Sequence, residues 1–139
     1  MKPLKIFILL LIHHVAIAQS SEYNQREVAV TIDDLPVVTR RPTPEVRQNI
    51  TQRLVKALVE NEVPAIGFVN ESKLYKFNRL NSARVDLLRQ WLEAGLELGN
   101  HTYSHPSLHK ISLAEYQQEI LRGEKITREI CEPYGKSPV

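Results

Sequence analysis

The chain has 139 residues with 18 basic and 16 acidic side chains, and its formal charge of +2 gives no indication of a nucleic-acid-binding surface. Its single cysteine, Cys131, excludes an internal disulfide bond. The length suffices for one modest hydrophobic core, so we expect at most one domain.

Residues 1–18 resemble a secretory signal peptide. Two lysines form a basic start, 6–12 is an unbroken apolar run, and 15–18 ends in an Ala-x-Ala pattern. The apolar run is too short to span a membrane. We therefore expect a cleaved leader and a domain over 19–139 that is secreted or periplasmic, with no stable membrane span after cleavage. The alternative is an uncleaved anchor.

Short β-branched or apolar runs alternate with segments of helical periodicity along the rest of the chain. The predicted strands are 28–32, 65–69 and 96–99. The predicted helices are 45–61, one that Ser82 caps and Gly95 ends, and one that begins at a Ser112–Glu115 capping box and runs to about Ile130. Segment 70–81 is predicted to be a loop. This alternation predicts an α/β fold with parallel strands and right-handed crossovers.

Two carboxylates, Asp33 and Asp34, follow the first predicted strand. Neighbouring side chains of a strand point to opposite faces, so one carboxylate can face a metal ion while the other faces a substrate. Taken alone, the pair is also explained by a turn or a helix cap.

Three of the five histidines, His101, His105 and His109, fall within nine consecutive residues behind the third predicted strand. Imidazole is the commonest metal ligand, so this clustering indicates a metal site. The helical zincin motif requires Glu after its first His, whereas Thr102 follows here, and the flanking glycine and proline favour a loop. The alternative is a pair of surface histidines. We interpret His109 as a supporting or surface residue.

Two segments together resemble the polysaccharide deacetylases of carbohydrate esterase family four, the NodB homology domain. Val-Thr-Ile-Asp-Asp-Leu-Pro is similar to the first family motif, Thr-Phe-Asp-Asp-Gly, with Ile32 in place of Phe and Leu35 in place of Gly. Gly-Asn-His-Thr-Tyr-Ser-His-Pro is similar to the second, His-Ser/Thr-x-x-His. The resemblance covers about 27–130 and implies a partial distorted (β/α) barrel.

The resemblance also implies a role for each matching residue. Asp33 matches the catalytic base, and Thr102 matches the hydroxyl that braces the second-motif loop. The metal-binding triad is matched by Asp34, His101 and His105. We therefore expect these three side chains to converge on a divalent ion, for which zinc is the default.

The implied activity is metal-dependent hydrolysis that removes acetyl groups from an N-acetylated or O-acetylated polysaccharide, such as an envelope glycan. The N-acetyl reaction breaks a non-peptide carbon–nitrogen bond. An alternative is a non-catalytic envelope protein that binds metal or glycan through the same loop. A third reading is a structural α/β domain with incidental histidines.

Later family motifs have no match in this sequence. The family's third motif contains an Arg and a Pro-Tyr/Trp pair, but no Arg precedes the similar run at 132–134, which follows a predicted helix. No histidine follows His109, so the catalytic-acid His of the family has no counterpart. We therefore expect the chain to correspond to the N-terminal part of the domain. An alternative is an inactive fragment of such a deacetylase.

Overall fold

A computed structural model describes residues 27–139, so the predicted leader lies outside the described residues. The strands are β1 (Val30–Leu35), β2 (Ala65–Val69), β3 (Tyr75–Lys76), β4 (Arg79–Leu80) and β5 (Glu97–Asn100). The helices are α1 (Pro44–Glu60), α2 (Ser82–Glu93), α3 (Leu113–Arg122) and α4 (Lys125–Cys131), with short 3₁₀ helices at Glu71–Leu74 and Glu132–Tyr134. In the part of the chain that the structure describes, no helix is both long and apolar enough to cross a membrane.

Three parallel strands form the main sheet in the order β1-β2-β5. The short strands β3 and β4 form a separate antiparallel hairpin. At the outer side of β5, the Val139 N–H donates to Leu98 O at 3.0 Å, and the Asn100 N–H donates to Val139 O at 3.2 Å. The parallel strand arrangement predicted from the alternating pattern is confirmed.

The strand β1 contains one extra residue where it passes Phe68 of β2. Asp33 and Asp34 together lie opposite that single residue, which is a β-bulge. Asp34 has a φ of 68°, in the left-handed region that aspartate enters more readily than most residues. The predicted strand 28–32 is therefore wrong at both ends, because β1 begins at Val30 and extends to Leu35, which includes both acids.

The hydrophobic core contains side chains from the sheet, from α1, α2 and α4, and from the first 3₁₀ helix. Leu35 is 3% exposed and belongs to this core. A Cβ on Gly67 would overlap the Cδ1 atom of Leu35, so the Leu35 side chain occupies space that Gly67 leaves open. The first deacetylase motif has glycine at the position of Leu35. The larger Leu35 side chain is accommodated in the core, in the space beside Gly67.

The helix starts confirm one predicted cap and correct another. The predicted capping box is present: the Glu115 N–H donates to Ser112 Oγ at 3.3 Å and the Ser112 N–H donates to Glu115 Oε2 at 2.8 Å. The prediction that Ser82 caps α2 is wrong. Asn81 is the cap, because its side chain accepts a hydrogen bond from the Arg84 N–H at 3.1 Å.

Two further predicted elements differ from the structure. The expected helix from the capping box to Ile130 is divided into α3 and α4 at residues 123 and 124, where Gly123 lies directly against the backbone of Thr102 and Tyr103. The predicted loop 70–81 contains a 3₁₀ turn and the β3–β4 hairpin. The division at Gly123 coincides with a contact to a distant part of the chain, whereas the hairpin pairs residues that are only three to five positions apart.

Candidate metal centre

The carboxyl ends of the three parallel strands lie at one edge of the sheet and carry polar residues. Asp34 lies near the end of β1, Asn70 directly follows β2, and His101 directly follows β5. Loops at this edge of a parallel sheet are free to hold functional side chains. The structure thus brings the acid pair and the histidine segment, which are far apart in sequence, to the same edge.

The two predicted histidine ligands lie side by side. The ring centroids of His101 and His105 are 4.5 Å apart and the ring planes are inclined by 55°. His101 is partly buried beside the Phe68 ring, at a centroid distance of 6.1 Å, whereas His105 is exposed. They border a cleft of about 180 Å³ that is lined by Asn100, His101, Thr102, His105, Pro106 and Tyr116.

Asp34 has a different partner from the one that the sequence predicts. The Lys73 Nζ donates to Asp34 Oδ1 at 2.7 Å and to the Asp34 main-chain oxygen at 3.2 Å. This hydrogen bond is the main reason that the pKa of Asp34 lies below its ordinary value, while partial burial opposes the shift. Coulombic interactions with His101 and His105 contribute to the same lowering of the Asp34 pKa, to a smaller extent.

The expected convergence of three metal ligands is not observed. Within residues 27–139, no three His, Cys, Asp or Glu side chains form a group that could hold an ion. Instead, the Asp34 carboxylate accepts its hydrogen bond from the Lys73 ammonium group. The assignment of Asp34, His101 and His105 as metal ligands stays a prediction.

The remaining predicted residues lie in different environments. The side chain of Asp33 is exposed, whereas its neighbour Asp34 is partly buried. His109 is exposed, in the segment between β5 and α3. The catalytic role predicted for Asp33 requires a group that a substrate can reach, and its exposure meets that requirement.

We call residues 101–105 the histidine loop. Two hydrogen bonds between residues close in sequence stabilise its conformation. The Thr102 Oγ1 accepts a hydrogen bond from the His105 N–H at 3.0 Å. The Asn100 Oδ1 accepts one from the Thr102 N–H at 2.8 Å. Thr102 and His105 have φ angles of 63° and 57°, in the left-handed region that residues other than glycine rarely adopt. The loop is therefore in a conformation that needs support from its surroundings.

The last turn of α3 supports one side of the histidine loop. The Tyr103 N–H donates to Glu119 O at 2.9 Å, and Ser104 donates its N–H and its hydroxyl to Glu119 Oε2, both at 2.7 Å. The Asn100 Nδ2 donates to Ile120 O at 2.8 Å. Glu119 O and Ile120 O also accept hydrogen bonds from the Gly123 N–H, so each oxygen has one donor from the helix end and one from the region of the loop.

The segment that follows β2 supports the other side of the histidine loop. The Asn70 Nδ2 donates to His101 O at 2.7 Å and to Thr102 O at 3.3 Å. The Ser72 N–H donates to Tyr103 O at 2.8 Å. Three consecutive main-chain oxygens of the loop therefore accept hydrogen bonds from this one segment.

Sequence reasoning did not identify Asn70 or Lys73, because both were assigned to a predicted loop. A signal for Asn70 was present: it is a polar residue immediately after the middle strand, the same position that Asp34 and His101 occupy near the ends of their strands. Lys73 has no comparable local signal.

Comparison with known proteins identifies relatives over most of the chain. The sequence model of the polysaccharide deacetylase family matches residues 20–138. The chain is 30% identical to a peptidoglycan-N-acetylglucosamine deacetylase of Bacillus cereus, over 87% of this chain and 41% of that protein. It is 30% identical to a chitin deacetylase of Colletotrichum lindemuthianum, over 74% of this chain and 36% of that protein. The chain thus spans about two fifths of the length of these relatives.

A solved structure has the same fold over the shared part. It is a peptidoglycan N-acetylglucosamine deacetylase in complex with a benzamide, with a TM-score of 0.58 and 30% identity. The match covers 78% of this chain and 42% of that one. The predicted fold class is confirmed, and the described strands form an open, partial sheet rather than a closed barrel.

Proposed function

This chain belongs to the polysaccharide deacetylase family, and we propose that it carries the metal-binding and water-activating residues of a deacetylase that acts on N-acetylated glycans. The two relatives named above are deacetylases of peptidoglycan and of chitin, both of which contain N-acetylated sugars. Secretion through the predicted leader 1–18 would place the chain where such polymers occur.

One observation carries the proposal. The acid pair in the bulge of β1 and the two adjacent imidazoles after β5 lie at the same edge of the sheet, and they match the two family motifs residue by residue. A structural domain with incidental histidines would not require this coincidence of position and residue type.

The donor chemistry fits a divalent metal ion, with zinc as the proposed ion. Asp34, His101 and His105 would supply one carboxylate and two imidazoles, which leaves coordination positions open as catalytic sites require. Asp34 would then bind the metal ion in place of the Lys73 ammonium group. When bound, such an ion supplies Lewis acidity that makes water more acidic and polarises a carbonyl group.

In the proposed reaction, water adds to the carbonyl carbon of the acetamide and Asp33 accepts a proton from that water. The bond between the carbonyl carbon and the nitrogen breaks, so the products are acetate and a free amine on the sugar. The nitrogen must receive a proton as it leaves. No histidine follows His109 to supply it, so we expect slow turnover by these 139 residues.

The experiment combines metal analysis with an assay of acetate release. The purified chain is expected to bind one zinc ion, and His101→Ala and His105→Ala should abolish binding, whereas His109→Ala should not. Acetate should be released slowly from N-acetylated chito-oligosaccharides, and chelation of the metal should stop the release.

Other outcomes would favour different functions. Stoichiometric zinc binding without acetate release from any acetylated glycan would favour the non-catalytic metal- or glycan-binding protein. Failure to bind any divalent metal would contradict the proposed site.

A further inference from the structure

We propose that Asn70 is a positioning residue that holds the histidine loop in the conformation needed for both imidazoles to bind one metal ion. This inference rests on the proposed function for the identity of the ligand. The hydrogen-bond geometry that supports it concerns the main chain of the loop and does not depend on the metal.

The side chain of Asn70 is well placed to control the loop. It is 2% exposed, and its Nδ2 donates to His101 O at 2.7 Å and to Thr102 O at 3.3 Å. Because both partners are acceptors, the nitrogen of the amide must face the loop. Its two donors thus contact the first imidazole-bearing residue and the residue with a left-handed φ next to it.

Asn70 also connects the histidine loop to the acid pair. Its main-chain N–H donates to Leu35 O at 3.2 Å, and Leu35 directly follows Asp34. One residue therefore contacts the strand that carries the proposed carboxylate ligand and the loop that carries the proposed imidazole ligands. A change in its side chain should alter the separation of these two parts.

The neighbours of Asn70 keep it in place. Glu71 is 1% exposed, and its Oε1 accepts hydrogen bonds from the Thr127 N–H at 2.6 Å and the Thr127 hydroxyl at 2.9 Å. These bonds attach the segment to α4. The Asn70 side chain is therefore presented from a fixed backbone, and of the three residues 70–72 it is the one whose side chain reaches the loop.

The test compares Asn70→Asp with a core truncation elsewhere. Asn70→Asp has nearly the same shape but places acceptors against two main-chain oxygens. Asn70→Ser, which keeps one donor in a smaller side chain, serves if the first variant does not fold. The control is Leu58→Ala, because Leu58 is a buried core residue of α1, and α1 donates or accepts none of the hydrogen bonds recorded for the loop.

Two measurements are made on each protein. The affinity for zinc is measured by competition with a chelator, and the backbone conformation of Thr102 and His105 is measured by NMR chemical shifts without metal. The Asn70 variants should bind zinc about 10–100-fold more weakly, the usual effect of changing a residue that orients metal ligands. In the Asn70 variants, the chemical shifts of Thr102 and His105 should also no longer indicate a left-handed backbone conformation. Leu58→Ala should be less stable but should keep the wild-type zinc affinity and the wild-type shifts of these two residues.

The proposal is overturned if the Asn70 variants keep wild-type shifts and zinc affinity, or if Leu58→Ala weakens zinc binding equally. If the wild-type chain binds no zinc, the proposed function fails, and the shifts alone decide this inference. Loss of the left-handed signature in the Asn70 variants would then still show that Asn70 positions the loop.

Discussion

The ammonium group of Lys73 lies 2.7 Å from Oδ1 of Asp34, the carboxylate that the family motif assigns to the metal. Both side chains are about one-third exposed. The contact spans 39 positions of sequence and also includes the main-chain oxygen of Asp34, in the β-bulge. Lys73 therefore supplies positive charge beside the Asp34 carboxylate.

Lys73→Met should raise the pKa of Asp34 towards its ordinary value of 3.8, because the hydrogen bond from Lys73 is the main cause of the lowered pKa. The measurement is an NMR titration of the Asp34 carboxyl carbon without metal. Lys76→Met is the control, since Lys76 is exposed and its ammonium group lies over the Phe77 ring. An unchanged titration in Lys73→Met would contradict the assigned contact.

The same pKa shift predicts how stability depends on pH. A carboxyl group with a lowered folded-state pKa stabilises the fold above its unfolded-state pKa, and the contribution disappears as the pH falls through the folded-state value. For Asp34 that loss should occur below about pH 4, given the ordinary value of 3.8. Unfolding by urea at pH 7 and at pH 3 should show a smaller difference in Lys73→Met than in the wild type.

Asp33→Asn should reduce acetate release by about 10²–10⁴-fold, the usual effect of losing general acid–base catalysis. Zinc content should not change, because Asp33 is proposed as the base and not as a ligand. The two quantities are measured on the same samples, by acetate assay and metal analysis. Loss of zinc in this variant would assign Asp33 to the metal instead.

Gly123→Ala should displace the last turn of α3 from the histidine loop. Its new Cβ would overlap the main-chain carbon of Thr102 and lie 2.6 Å from the Tyr103 nitrogen. Such overpacking costs about 1–3 kcal/mol of unfolding free energy, and zinc affinity should fall roughly tenfold.

Gly95→Ala is the matched control for this variant. Gly95 has open space around it but a φ of 83°, so alanine there is strained by about 1–2 kcal/mol without touching the loop. Both variants should lose stability in urea unfolding, and only Gly123→Ala should lose zinc affinity. Equal affinities in the two variants would show that α3 does not support the loop.

Gly67→Ala should destabilise the fold by about 1–3 kcal/mol through overpacking. Its Cβ would overlap Leu35 Cδ1 and lie 3.2 Å from Cε3 of Trp91. In a double-mutant cycle with Leu35→Ala, the combined loss of unfolding free energy should be smaller than the sum of the two single losses. Additive losses would show that Leu35 does not fill the space beside Gly67.

Elements that depend on neighbouring residues agreed best with sequence-based prediction. The strand 65–69 and the Ser112–Glu115 capping box appear as predicted, because periodicity and local hydrogen bonds specify them. The helix predicted for 45–61 is one residue out at each end. Elements whose limits depend on distant contacts, such as the division between α3 and α4, were not predicted.

The sequence by itself determined the parallel α/β class, the acid pair after the first strand and the clustered histidines after the third. These features follow from local pattern and residue type. Only the tertiary structure decided that Asp34 pairs with Lys73 and that Asn70 holds the histidine loop. These contacts join residues 39 and 31 positions apart, and such contacts depend on how strands and loops pack in space, which no local sequence pattern specifies.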